Sequence, residues 1–149
     1  MLESPLIRTH SATLEHAEEE FLMTHRVPQP QRMTNTEELT ASGQTGNGAV
    51  WKLEPPQRDL DANVITLQPG AEIGEHEGPE LDVLLYVYAG SGLLHGAEGT
   101  VQLSVGDIIY LPAKARRAFV AGDQGLSYFS VHQRKKTTGL MPIRRSSGA

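Results

Sequence analysis

Between residues 49 and 133 the chain is cut into short β-rich runs by Gly, Pro and Asp, and nowhere in this region do apolar residues recur at helical spacing. The runs read AVWKL, NVITLQ, DVLLYVYA, GLLHG, TVQLS, DIIYLP, RAFVA and LSYFSVHQ. About eight strands so closely spaced predict an all-β antiparallel sandwich or barrel. A βαβ arrangement is disfavoured, because parallel crossovers need helices between the strands. Eight of the 15 glycines fall between residues 70 and 106, where the tight turns of such a fold need them.

The flanks have a different texture. In SATLEHAEEEFLMTHR, residues 11–26, Leu14, Ala17, Phe21 and Leu22 recur at helical spacing behind Ser11 or Thr13 as N-cap, predicting one short amphipathic helix. Residues 27–48 end in the polar run TASGQTGNG and read as an extended arm. The tail from Arg134 carries Lys135, Lys136, Arg144 and Arg145 without an acid and reads as a solvated terminus, with docking onto an acidic patch as the functional alternative. The expected organisation is thus a helix and arm over 1–48, a β-barrel over 49–133 and a basic tail over 134–149.

Composition narrows the functions. A chain of 149 residues has the size of one domain. With no cysteine, disulfides, thiolate nucleophiles and Cys-ligated metal centres are excluded. A net charge of -5 and a pI near 5.6 argue against a nucleic-acid partner, which calls for a basic surface. The longest apolar run, residues 83–89, is far too short for a membrane span, and MLESPLIRTH lacks the basic start and apolar core of a signal peptide. A cytoplasmic protein is expected.

Residues 70–90, GAEIGEHEGPELDVLLYVYAG, hold the most chemical information. Gly70, His76 and Gly90, followed by Gly106 and Pro112 in GDIIYLPAKARRAFVA, stand in the spacing of the two motifs of the cupin family, which this region resembles over about residues 50–133. The resemblance implies a cupin-type double-stranded β-helix, a jelly-roll barrel. In the family three histidines and a glutamate hold a metal ion; the corresponding positions here are His76, Gly78, Val83 and Arg117. Gly78 and Val83 offer no donor atom, and a guanidinium stays protonated and cannot ligate. Lys114 and Ala121 also replace the second motif's glycine and asparagine. Strand alternation puts Leu81, Val83, Leu85 and Val87 in one apolar row facing the interior and sends Asp82 outward. A guanidinium at about 4 Å from a divalent ion, at an effective dielectric of about 20, repels it by about 8 kcal/mol. No metal and no cofactor are therefore expected.

Arg117 becomes the informative residue, since an unpaired guanidinium inside an apolar barrel is costly. Its partner is either a carboxylate or phosphate ligand, or an ion pair at the mouth with Glu75, Glu77, Glu80 or Asp82. His76 has the chemistry of a general acid or base, or is an ordinary satisfied polar residue. Asn63 shares strand parity with Ile65 and Leu67, and Tyr128 with Ser130 and His132; if those faces point inward, Asn63, Tyr128 and His132 line the ligand site with Arg117. Trp51 and Leu53 read as core. Leu84, Tyr86 and Tyr88 form an outward row, and with the resemblance they imply a homodimer.

The leading expectation is a metal-independent cupin that binds a small anionic organic ligand, with His76 available for isomerase-, epimerase- or cyclase-type proton transfer. Two alternatives stand beside it: an oxygenase-like metalloenzyme with a rearranged ligand set including His76 and His132, and a non-catalytic dimeric interaction protein.

Overall fold

The computed structural model describes residues 14–17, 27–43 and 46–135. The chain divides into two compact units, residues 1–32 and 33–149. In the first, residues 14–17 are helical and 27–32 have no regular secondary structure. The remainder of the helix expected over 11–26 lies outside the described residues, as does the basic tail beyond Lys135.

The second unit is a single antiparallel sheet folded over on itself. Its strands are β1 (Gly48–Lys52), β2 (Leu60–Leu67), β3 (Glu72–Glu77), β4 (Val83–His95), β5 (Thr100–Ser104), β6 (Ile108–Leu111) and β7 (Arg116–Gln133). β4 and β7 pair with each other along most of their length and serve both layers. In the first layer, residues 126–133 of β7 lie between β2 and residues 83–90 of β4, with β1 beyond β2 and β6 beyond β4. In the second, residues 116–120 of β7 lie between β3 and residues 93–95 of β4, with β5 beyond β4. The result is a jelly-roll sandwich whose two layers are continuous through β4 and β7.

Glycine makes the crossover possible. Gly90 pairs with Leu126 and Gly92 with Ala121, so residues 122–125 of β7 bulge opposite Ser91 alone. Gly90 and Gly125 sit at φ 75° and 80°, which side chains rarely tolerate, and a Cβ on Gly90 would overlap the Gly125 carbonyl.

The core follows from strand parity. Val83, Leu85 and Val87 of β4 point inward and are almost fully buried, while Asp82, Leu84 and Tyr86 are exposed, as the alternation required. They join Leu67, Leu94, Leu103, Leu111, Phe119, Ala121, Leu126 and Tyr128 in one cluster between the layers. Burying such side chains contributes about 1.5–3 kcal/mol each.

Two features depart from the sequence expectation. β3 was not among the predicted strands, because EIGEHE is polar and all but Ile73 of it is exposed; its pairing with β7, Glu72 with Val120 and His76 with Arg117, makes it a strand. Within the expected arm, Thr36–Ala41 is a short helix capped by Asn35, whose side chain accepts from the Glu37 and Glu38 amides at 2.9 and 3.0 Å. Among the described residues no helix is long and apolar enough to cross a membrane.

Candidate functional site

The parity that builds the core also aims polar groups into it. β7 enters the second layer with Arg117, Phe119 and Ala121 inward, and Arg116, Ala118 and Val120 on the opposite side. Further along, Tyr128, Ser130 and His132 turn to the same interior from the first layer, as do Asn63 and Ile65 from β2. With His76 of β3 and the loop residue Pro79, these side chains surround a cavity of about 240 Å³. All five residues singled out from the sequence, His76, Arg117, Asn63, Tyr128 and His132, line it.

Arg117 is only 5% exposed and is the one buried charged residue among those described. Its Nε donates to the Ala115 carbonyl at 3.1 Å, whereas Nη2 is buried without a hydrogen-bond partner. Burial lowers the Arg117 pKa, with Tyr128 opposing the shift; the group stays charged at neutral pH. Room for the guanidinium comes from Gly78, since a Cβ there would overlap Nη2 and Cζ. The two departures from the family motif are therefore one physical unit: the position without a side chain is occupied by the arginine that replaces a histidine.

Three of the four acids that were candidates to neutralise Arg117 are engaged elsewhere. Glu75 accepts from Arg116 Nε at 2.7 Å, a bond that holds its carboxyl below the usual range. Glu80 lies 3.7 Å from both Lys114 and Lys135. Asp82 accepts the Ala113 amide at 2.9 Å and the Tyr110 hydroxyl, whose pKa that bond raises. Glu77 faces Arg116 across the β3–β7 pair. The ion pair at the mouth anticipated as one option is not formed.

The other polar lining groups include a phenol, two imidazoles and an amide. Tyr128 stacks on Phe119 with centroids 5.2 Å apart, and burial pushes its pKa up to about 12, only partly countered by Arg117. His76 Nδ1 lies 2.9 Å from the Gly74 carbonyl and His132 Nδ1 2.8 Å from that of Gln133. Since a carbonyl only accepts, both rings carry a proton on Nδ1 and leave Nε2 free of that bond. Asn63 Oδ1 is buried and has no partner.

The residues present do not fit the ion that the fold family implies. Of the four corresponding positions only His76 has a donor atom, and the guanidinium occupies the space Gly78 leaves open. Among the described residues no group of three His, Asp or Glu side chains is placed to hold a metal, so the rearranged set built on His76 and His132 is not assembled there.

Sequence reasoning missed two participants. Gly78 was noted for lacking a donor, and its role as the recess for Arg117 depends on a contact across strands. Phe119 was seen only as part of a strand, although its parity with Arg117 was available as a signal.

Fold and site together define a small jelly-roll protein with a buried arginine beside an interior pocket. Residues 63–132 match the Cupin domain family, and this region of the chain is a cupin domain. Solved structures agree on the fold. A Bacillus halodurans protein shares 22% identity with a TM-score of 0.57, covering 76% of this chain and 87% of its own. A conserved Streptococcus pyogenes protein of unknown function shares 21% with a TM-score of 0.55, covering 74% and 93%. A cupin-2 domain containing protein from Shewanella frigidimarina shares 12% with a TM-score of 0.54, covering 68% and 95%. No curated protein matches the sequence.

Proposed function

We propose that this protein is a metal-independent cupin that binds a small organic anion in its interior, with Arg117 as the anchor. The observation carrying this reading is the buried Arg117 Nη2 without a partner, while Glu75, Glu80 and Asp82 are engaged by other donors. A buried cation left unpaired costs several kcal/mol, and a carboxylate or phosphate would offset that cost with charge-assisted hydrogen bonds. The cavity of about 240 Å³ argues against an interior filled by the protein's own side chains.

The reaction class open to such a site is proton transfer. His76 and His132 both line the cavity with Nε2 free of the carbonyl bond, which suits an isomerase, epimerase or cyclase acting beside the anchored acid group. A second copy belongs to the same proposal: Leu84, Tyr86, Ile108 and Tyr110, paired across β4 and β6, leave an exposed apolar face suited to a homodimer.

Thermal melts of wild type and Arg117→Met against millimolar carboxylates and phosphates test the reading. At least one anion should raise the wild-type Tm by several degrees, since ligand at a hundredfold its Kd adds about 2.7 kcal/mol, and leave the variant unmoved. If no anion stabilises wild type more than Arg117→Met, the anchor does not exist. Elemental analysis bears on the metalloenzyme alternative: a stoichiometric transition metal lost on His76→Ala would displace this proposal.

A further inference from the structure

The cavity holds a second orphaned polar atom, and its sign differs from the first. Asn63 Oδ1 is an acceptor, buried and unpartnered, where Arg117 Nη2 is a donor, buried and unpartnered. Asn63 lies on β2, paired with Ser130 in the first layer, whereas Arg117 pairs with His76 in the second. Both residues line the same cavity, Asn63 from the first layer and Arg117 from the second. Ile65, Val83, Leu85 and Phe119 supply apolar lining to the same space.

We infer that the ligand is a small hydroxycarboxylate spanning the two layers, its carboxylate on Arg117 and its hydroxyl donating to Asn63 Oδ1. This rests on the anion reading above and adds the requirement for a donor at the far end. A plain acid would leave the amide oxygen unsatisfied, and a site built to pair a hydroxyl rejects the analogue lacking it strongly. A second carboxylate would set acceptor against acceptor. An ammonium would have to be desolvated against the apolar walls with only a neutral amide oxygen to receive it. The pocket is open rather than enclosed, and its volume of about 240 Å³ suits a small organic acid.

The test is calorimetric titration of the full chain with a four-carbon series: butyrate, the 2-, 3- and 4-hydroxybutyrates, succinate and 4-aminobutyrate, against wild type, Asn63→Leu and Arg117→Met. One hydroxybutyrate should bind wild type at least tenfold more tightly than butyrate, succinate or 4-aminobutyrate. Asn63→Leu should erase that preference while keeping butyrate, and Arg117→Met should lose the whole series. Butyrate binding as tightly as every hydroxy acid in wild type overturns the inference while sparing the anion site, and needs no variant to fold. A hydroxyl preference surviving Asn63→Leu overturns it too. Absence of binding by any acid, in wild type and Arg117→Met alike, removes the anion reading and this one with it.

Discussion

Arg117 and Gly78 are best understood as a pair. The guanidinium is buried, donates one bond to Ala115, and occupies space that any side chain at position 78 would claim. Replacing a buried unpaired charge by an apolar group of similar length removes its desolvation cost, so Arg117→Met should stabilise the ligand-free protein by about 1–3 kcal/mol in urea denaturation while abolishing anion binding. Gly78→Ala should cost about 1–3 kcal/mol by overpacking against the guanidinium. In the double variant Gly78→Ala, Arg117→Ala most of that cost should vanish, a coupling that additive effects cannot produce. Tyr128 makes a separate prediction. Its folded pKa is raised from 10 to about 12, so burial favours the neutral phenol. The resulting stability is fully present below pH 10 and is lost as pH rises from about 10 to 12, on the order of 3 kcal/mol in all. Denaturation at pH 9 and pH 11.5 should show this loss in wild type and much less of it in Tyr128→Phe.

The turn between β6 and β7 shows how a motif can lose a residue and keep its shape. Lys114 stands where the family motif has glycine, yet it adopts φ 66°, the one non-glycine residue with positive φ among those described. Its amide donates to Pro79 at 2.7 Å, and the Ala115 amide donates to Pro112 at 3.0 Å, so the loop before β4 and the turn hold each other. A left-handed L-residue costs about 1–2 kcal/mol, part of which glycine would return as unfolded-state entropy. Lys114→Gly should therefore raise stability by up to about 1 kcal/mol; its exposed contact with Glu80 at 3.7 Å adds little to wild type. A loss of stability on that substitution would mean the lysine side chain matters more than its backbone. β3 is the converse case. Its sequence carries no strand pattern, but β7 supplies the pairing, and through it His76 is brought to the cavity.

For the molecule as a whole, one layer presents an unpartnered face. Leu84 is 47% exposed, Tyr86 44%, Ile108 71% and Tyr110 58%, with Leu84 opposite Tyr110 and Tyr86 opposite Ile108. The chain covers part of this region itself: the helix Thr36–Ala41 shares a shallow cavity with Tyr86, Tyr88 and Ala89. If a second copy covers the rest, light scattering should give a dimer at micromolar concentration. Tyr86→Glu with Ile108→Glu should then give a folded monomer, because each charge would have to be desolvated in the interface. A wild-type monomer throughout that range would remove the dimer from the proposal.

The all-β architecture and the inward row Val83, Leu85, Val87 were legible in the sequence, because strand side chains alternate with a period of two and glycines mark the turns, whereas the inward aim of Arg117 was implied by the cupin resemblance. The helix at Thr36–Ala41 and the strand Glu72–Glu77 were not, the first being held by a local cap in a polar segment and the second by its partner strand. Nor could sequence choose between an internal ion pair and an outside anion for Arg117. That choice depends on where Glu75, Glu80 and Asp82 send their carboxylates, and each goes to another donor. Periodicity says which way a side chain points. Which groups meet is set by how the two layers close over one another.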